Sequence, residues 1–263
     1  MKPCRLVIAA ITLIVAARAQ SPEQRPPLTN PKGDDIEALV RDFMADGAGV
    51  KGEFETTAQF EARMKKGIQA DRRYAFICEE SSYWSFSYDA DKAAMTASVR
   101  TIGFGDYASS KSSRATEKEL IPIKETVRST STRVGQNALG VSATILSSVS
   151  DEFALVISQE AAVWLYSHSP KDDPTNLTPV DPYTATMTFP LTIERAQRIK
   201  PSLRIVFVGT MPNAQVFREE GYHTPTVNDP NERTVHRYYI NFDPVEVRFV
   251  NTATGETVAY AKR

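Results

Sequence analysis

Residues 203–211 read Leu-Arg-Ile-Val-Phe-Val-Gly-Thr-Met, the most apolar of the strand-like segments in this chain. Ile205, Val206, Phe207 and Val208 follow one another without a polar residue. A short continuous apolar run of this kind is typical of a strand that is covered on both faces. We therefore predict a strand here, with other parts of the chain packed against both of its sides.

Alternating apolar and polar residues predict further strands before and after this segment. They are residues 74–79, 83–89, 95–99, 121–133, 141–147, 153–158, 184–189, 235–242, 245–250 and 257–261. Turns are predicted at 135–137, at Ser150-Asp151-Glu152 and at 251–255, and polar loops at 103–117 and 221–233. Short connections between successive strands favour antiparallel meanders.

Two helices are expected ahead of the first strand. Asp34 or Asp35 can cap a helix whose apolar stripe lies within residues 36–43. Thr56 and Gln59 then form a capping-box pattern, in which each residue can bind the backbone N–H of the other. The second helix should therefore begin next to Thr56.

The remaining helix signals lie in the second half of the chain. Residues 192–200 fit a short helix that Thr192 caps and Pro201 ends. Residues 160–166 fit either a short helical turn or an edge strand. The patterns together predict an α+β fold of predominantly antiparallel β-sheet, arranged as meanders, with two or three helices packed on one face.

Residues 1–19 have the order of a secretory signal peptide: a basic lead, an apolar run and the small-residue pattern Ala17-Arg18-Ala19. We expect cleavage between Ala19 and Gln20. Cys4 would leave with this segment, so Cys78 would be the single cysteine of the mature chain. Residues 20–33 are rich in proline and predict a flexible tail. The protein is therefore expected to be exported, to the periplasm or beyond the cell.

The chain after the tail divides at a proline-rich and aspartate-rich segment, residues 167–183, which we interpret as a loop or a boundary. Residues 34–166 would form a helix pair plus a β-meander. Residues 184–263 would form a short helix plus a β-meander, either as a second unit or as one continuous domain with the first. Similar residue spacing at 54–65 and 189–200 fits an internal duplication, or the general likeness of capped amphipathic helices.

The charge of the chain excludes several classes of partner. The 263 residues carry a formal net charge of −1 at pH 7. This near balance lacks the basic footprint of a nucleic-acid-binding protein and the polybasic patch that binds anionic lipid. No segment after the signal peptide is apolar over the ~20 residues that a transmembrane helix needs. We expect no nucleic-acid partner and no transmembrane segment after cleavage.

The sequence contains no residue pattern that is typical of a catalytic, cofactor or metal site. Gly103-Phe104-Gly105 lacks the third glycine and the lysine of phosphate-binding loops, and Gly-x-Ser-x-Gly is absent. His168, His223 and His236 are not spaced as paired metal ligands. We therefore assign no catalytic, cofactor-binding or metal residues and expect no cofactor.

Three other features have ordinary structural explanations. Cys78 ends a strand pattern and should be a small buried hydrophobe. The carboxylate pairs Glu79-Glu80 and Glu219-Glu220 could suggest glycoside hydrolysis. Neighbouring residues on a strand point to opposite faces, however, so neither pair should flank one bond.

Aromatic residues cluster in the first predicted meander, with Trp84, Phe86 and Tyr88 on one strand face, and Tyr83 and Tyr74 close by. Aromatic side chains aligned on a sheet can stack on sugars or on an extended peptide. Three of them on one face are also what a hydrophobic core needs. We favour core packing for this set.

Three stretches carry a family resemblance: residues 52–63 (Gly-Glu-Phe-Glu-Thr-Thr-Ala-Gln-Phe-Glu-Ala-Arg), residues 135–141 (Gly-Gln-Asn-Ala-Leu-Gly-Val) and Thr254-Gly255-Glu256. They resemble a family of uncharacterised exported bacterial proteins. The three stretches are short and together make up 22 of the 263 residues. The resemblance implies an envelope or secreted location, and that family has no assigned activity or functional residues to transfer.

A well-patterned core without a catalytic set favours a non-enzymatic binding or interaction module of the bacterial envelope. Its partner would be an envelope protein or a small ligand. The alternative is a hydrolase that acts on cell-wall or secreted substrates through residues that only the fold brings together. A histidine–carboxylate pair in a pocket would favour the hydrolase, and an exposed apolar patch or a free sheet edge would favour the binding module.

Overall fold

A computed structural model describes residues 33–45, 51–66, 68, 72–79, 83–103, 118–136, 140–167 and 184–263. The helices are α1 (Ile36–Ala45), α2 (Thr57–Lys66), α3 (Gln159–Ser167) and α4 (Ile193–Ile199), which a 3₁₀ turn (Lys200–Ser202) extends. The strands are β1 (Tyr74–Ile77), β2 (Trp84–Asp89), β3 (Ala94–Arg100), β4 (Ile102–Gly103), β5 (Lys118–Gln136), β6 (Ser142–Ser158), β7 (Thr184–Pro190), β8 (Leu203–Thr210), β9 (Val216–His223), β10 (Asn231–Asn241), β11 (Asp243–Asn251) and β12 (Glu256–Lys262).

These strands form three sheets. The central sheet has the order β1-β8-β11-β12, the long sheet β4-β5-β6-β10-β9 and the short sheet β2-β3-β7. All strand pairs are antiparallel except β6 and β10, which run parallel. The α+β class with mostly antiparallel sheets is confirmed, and the described residues hold four α-helices where two or three were expected.

Strand β8 lies inside the central sheet and is buried on both faces, as its apolar run predicts. Ile205 and Phe207 face the main core, while Val206 and Val208 face a second small cluster with Val250. Successive side chains of a strand point to opposite faces, so an unbroken apolar run is stable only between two apolar layers.

The expected meanders are divided between sheets. β1 pairs with β8 in the central sheet, whereas β2 and β3 pair with β7 in the short sheet. In the same way β10 lies in the long sheet, and β11 and β12 form a hairpin in the central sheet. Each sheet therefore combines strands from residues 34–166 with strands from residues 184–263.

The predicted turn at Ser150-Asp151-Glu152 is wrong. Residues 121–133, 141–147 and 153–158 belong to only two strands, and β6 runs through all three turn-forming residues. Asp151 is held by Arg128, and Glu152 by Arg237 on another strand. These distant ion-pair partners stabilise charged residues in a strand where local preference favours a turn.

The polar loop predicted at 221–233 is shorter than expected. β9 continues to His223 and β10 begins at Asn231. Strand β9 was not predicted, because its residues 217–220 (Phe-Arg-Glu-Glu) are mostly polar. It pairs with β10 over its whole length, and that backbone pairing makes it a strand.

The predicted helix caps are confirmed. Asp35 Oδ1 accepts hydrogen bonds from the backbone N–H groups of Glu37 and Ala38 at the start of α1. Thr56 and Gln59 bind each other's backbone N–H, with donor–acceptor distances of 2.9 and 3.2 Å. The Thr192 hydroxyl accepts from Arg195 at α4. Residues 160–166, for which the sequence fits either a helical turn or an edge strand, lie in the helix α3.

One main core joins the three sheets to α1, α3 and α4. Its helix residues include Val40, Leu165 and Ile199, and its largest buried side chains include Phe76, Phe207 and Phe249. Cys78 lies in the same core and is 1% exposed, as expected for a small buried hydrophobe.

Several expectations lie outside the described residues. These are the signal peptide with its cleavage site at Ala19 and Gln20, the tail up to residue 32, the segment 168–183, and residues 104–117 of a predicted loop. Within the described residues, none of the helices combines the length and the apolar character that crossing a membrane would require.

Candidate functional site

The outer part of the long sheet carries side chains that the core does not cover. We call residues 127–136, 140–149 and 219–236 the sheet arm; they comprise the outer halves of β5, β6 and β10, most of β9 and the connections between them. All of these residues except Val235 are half-buried or exposed. The arm therefore presents two faces and two edges, one at β5 and one at β9.

The sheet arm holds six of the nine large apolar side chains that are exposed in the described residues. These six are Val127, Val134, Val141, Leu146, Tyr222 and Val227. The strand register places Val127, Val134 and Leu146 on the same face. Val127 and Val134 lie opposite Ser150 and Thr144 of β6, and each of these is an even number of residues from Leu146 on the same strand. We call this the apolar face of the arm.

Strand β5 forms the edge of the arm. β4 pairs with β5 only at Glu119 and Leu120. Beyond Ile123, no strand in the described part of the chain pairs with this edge. The last irregularity of β5 lies between Val127 and Ser129, so residues 129–136 form a regular edge. Its outward backbone groups pair with no strand in the described part of the chain.

The opposite face of the arm is fixed by Glu232 on β10. Its carboxylate accepts hydrogen bonds from Ser147 Oγ on β6 (2.5 Å) and the Tyr222 hydroxyl on β9 (2.7 Å), and pairs with Arg133 on β5 (3.3 Å). The hydrogen bonds from Ser147 and then Tyr222 lower the pKa of Glu232 from 4.5 to about 2. One carboxylate thus ties all four strands of the arm together.

A buried charged cluster lies at the base of the arm, on the same face as Glu232. Asp151 is 4% exposed; its Oδ2 accepts from Arg128, and its Oδ1 is 3.3 Å from His236 Nδ1. The hydrogen bond to Asp151 raises the pKa of Arg128. Since His236 lies directly opposite Asp151 in the parallel pair, strand register alone sets this contact.

The cluster borders a cleft of about 320 Å³ between α1 and the long sheet. Its lining residues are Glu37, Val40, Arg41, Met44, Arg128, Asp151, Phe153 and Tyr238. Phe153 and Tyr238 stack with ring centroids 5.4 Å apart and form an apolar wall. Two carboxylates and two guanidinium groups balance in this lining, so the cleft has no excess of either charge.

The chemistry available in this cleft is limited. In the described part of the chain the His236 ring is hydrogen-bonded only to Asp151, so no hydroxyl or thiol is bound to it as a nucleophile would be. No group of three or more possible metal ligands occurs among the residues that the structure describes. The arrangement is suited to holding strands and binding a small polar group.

The histidines and carboxylates considered in the sequence lie in separate places. His223 is exposed at the end of β9 and pairs with Asp229 at 3.0 Å, and His168 lies outside the described residues. Glu219 accepts a hydrogen bond from the Tyr239 hydroxyl. Burial, more than any neighbouring charge, raises the pKa of the Cys78 thiol, which makes it a poor nucleophile.

Sequence reasoning missed Arg128, Asp151 and Glu232. One feature of the sequence could have identified Asp151. Val149, Asp151 and Phe153 alternate along the chain, and this spacing places Asp151 on the same strand face as two apolar residues. Arg128 and Glu232 follow no such pattern. Asp151 lies 23 residues from Arg128, and the partners of Glu232 on β6 and β5 lie 85 and 99 residues away, with only Tyr222 closer, at 10 residues. No protein-family model, curated protein or solved structure matches this chain, so the interpretation of the site depends on its geometry.

Proposed function

We propose that this protein is a non-enzymatic binding module of the bacterial envelope, secreted or periplasmic, which binds a protein partner through the sheet arm. The observation that carries the proposal is the concentration of exposed apolar side chains on the arm, beside an edge of β5 that no strand in the described part of the chain covers. Exposed apolar side chains concentrated in one region favour an interaction site. The signal-peptide pattern of residues 1–19 supports the location.

The mode of binding that fits this surface is strand addition. An extended segment of the partner pairs its backbone with residues 129–136, and its alternate side chains contact Val134 and Leu146. Two arginines of the arm already have carboxylate partners, Arg133 with Glu232 in the arm and Arg233 with Glu125, which lies just before it on β5. Backbone and apolar contacts, rather than charge attraction, therefore supply most of the binding free energy.

Site-specific photocross-linking in the producing cells tests this proposal. A photoreactive residue at Val134 should give one defined protein adduct, whereas one at Val163 on α3 should give none. The two positions are comparable because the side chains are 75% and 60% exposed. Leu146→Lys should abolish the adduct at Val134, since a charge on the apolar face cannot be buried without a large cost.

The proposal fails if the two positions give the same adducts, or if the adduct at Val134 persists in Leu146→Lys. Circular dichroism of the Leu146→Lys protein distinguishes a lost contact from a lost fold. Leu146 is 47% exposed, so the substitution should leave the unfolding midpoint nearly unchanged.

A hydrolase is the second candidate, and the pair of Asp151 and His236 beside the cleft is the observation that favours it. In this reading His236 acts as general base and Asp151 orients its ring. Purified protein would then release products from cell-wall fragments or from a protein substrate, and His236→Gln would reduce that release about 100-fold or more. If wild-type protein releases nothing, the second candidate is rejected.

A further inference from the structure

A separate groove lies between the short sheet and the end of α4. It has a volume of about 430 Å³ and is lined by Trp84, Phe86, Gln197, Lys200, Pro201 and Arg204. These residues come from β2, α4, the 3₁₀ turn and β8, which different parts of the chain bring together. None of them belongs to the sheet arm or to the cleft at its base.

The floor of the groove is an aromatic platform. Trp84 and Phe86 alternate on β2 and therefore share a face, with ring centroids 5.5 Å apart in an edge-to-face arrangement. Phe86 also packs edge-to-face on the buried Phe249. The Trp84 indole N–H donates to the backbone carbonyl of Glu79. Both rings are half-buried and fixed, so the surface that they present to the groove is preorganised.

The rim of the groove is polar and cationic. The Arg204 guanidinium lies 5.6 Å from the Trp84 ring centroid, and its Nη1 donates to the carbonyls of Pro201 (3.0 Å) and Leu203 (2.9 Å). The side chains of Lys200 and Gln197 are exposed and make no hydrogen bond or ion pair with another described residue. No carboxylate is among the described residues that line the groove, unlike the cleft at the base of the arm.

We propose that this groove binds a small ligand in which a ring carries a carboxylate, with the ring against the aromatic platform of Trp84 and Phe86 and the carboxylate at Lys200. A ring packed against these side chains buries apolar surface, and an ammonium group binds a carboxylate through charge-assisted hydrogen bonds. Gln197 can donate to a hydroxyl or carboxylate oxygen of the same ligand. Acidic sugars and aromatic acids share this chemistry.

Isothermal titration calorimetry of the full protein tests the site with three probes: a galacturonate oligomer, 2-naphthoate and glucose. We expect saturable binding of the galacturonate or the naphthoate and none of glucose. Lys200→Gln should weaken binding about tenfold, as loss of a charge-assisted hydrogen bond does. Lys65→Gln, which removes an exposed lysine from α2, is the matched control and should bind like wild type.

The two acidic probes separate the possible sources: galacturonate binding alone identifies a sugar site, and naphthoate binding alone identifies an aromatic-acid site. The proposal is overturned if neither probe binds at concentrations up to about 10 mM, where even weak contacts are measurable. It is also overturned if glucose binds equally, or if Lys200→Gln and Lys65→Gln reduce affinity alike. Lys200 is exposed, so we expect Lys200→Gln to fold like the wild-type protein, and a loss of affinity in this variant will reflect the lost contact.

Discussion

Asp151 on β6 lies directly beside His236 on the parallel strand β10, with 3.3 Å between Oδ1 and Nδ1. The contact joins residues 85 positions apart in the chain. Arg128 on β5 binds the other carboxylate oxygen, so three strands meet at one buried charge. A carboxylate buried in this way is stable only while its partners are present.

We predict that Arg128→Ala destabilises the protein by about 1 to 3 kcal/mol, because it removes the cation from a buried carboxylate. Arg133→Ala is the matched control on the same strand. The two arginine side chains are 53% and 54% exposed, but the Asp151 side chain is 6% exposed and that of Glu232 is 20% exposed. The control should therefore cost less than about 1 kcal/mol.

Urea denaturation measures both free energies of unfolding. Equal losses in the two variants would contradict the prediction, since they would show that burial of the carboxylate makes no difference. A double variant, Arg128→Ala with Asp151→Asn, should recover part of the loss because the buried charge is then absent.

Protonation of Glu232 in acid should weaken the contacts between the strands of the arm. Its pKa in the folded protein is lowered from 4.5 to about 2, chiefly by the hydrogen bonds from Ser147 and Tyr222. The carboxylate therefore stabilises the folded arm fully above about pH 4.5, and this contribution is lost as the pH falls toward 2. A carboxyl chemical-shift titration by NMR should give a midpoint near 2 for Glu232.

Two variants separate the causes of this shift. Ser147→Ala should raise the pKa of Glu232 more than Tyr222→Phe does, because the Ser147 hydrogen bond contributes most to lowering it. Glu232→Gln should remove the acid dependence of hydrogen exchange that is specific to residues 231–236. A titration midpoint near 4.5 for Glu232 in the wild-type protein would show that its hydrogen bonds to the neighbouring strands do not form.

The fold was predictable where neighbouring residues determine it. The apolar run of β8, the capping box at Thr56 and the cap at Thr192 depend on contacts within a few residues, and each is confirmed. The division of β1 from β2 and β3 between two sheets was not predictable. It depends on the pairing of β1 with β8, whose residues lie more than a hundred positions away, and on no local pattern.

The candidate site could not be predicted from the sequence, again because its contacts join residues that are far apart in the chain. Ser150-Asp151-Glu152 has the composition of a turn, but it pairs with β5 and β10 on both sides, and Arg128, His236 and Arg237 bind its two carboxylates. The position of the aromatic residues of β2 was predicted in part. Trp84 and Phe86 pack against the core as favoured, yet they are only partly buried and line the groove as well.

Gly209 lies where β8 meets the start of β11, and we predict that Gly209→Ala destabilises the protein by about 1 to 3 kcal/mol. A Cβ at this position would collide with the backbone carbonyl oxygen of Asp243 and lie 2.7 Å from Phe242 Cζ. The carbonyl oxygen cannot move without shifting the start of β11, and the Phe242 ring is buried in the core. Gly52→Ala is the control, because its Cβ would lie 3.5 Å from the nearest atom.

Thermal unfolding followed by circular dichroism compares the two glycine variants. Gly52→Ala should leave the midpoint unchanged or raise it slightly, since alanine restricts the unfolded chain. An equal fall in both variants would contradict the close approach of β8 and β11.

Phe249 joins the short sheet to the central sheet, and we predict that Phe249→Ala costs about 3 to 5 kcal/mol. Its ring is 2% exposed and stacks on Phe189 with centroids 4.8 Å apart, and Phe86 packs against it edge-to-face. Phe54→Ala removes the same side chain from a position that is 93% exposed and should change the free energy of unfolding by less than about 0.5 kcal/mol. Phe249→Leu, which leaves a smaller cavity, should fall between them. If Phe249→Ala unfolds at the same urea concentration as Phe54→Ala, the two sheets do not share a packed core, and the platform that Phe86 supports in the groove is not rigid.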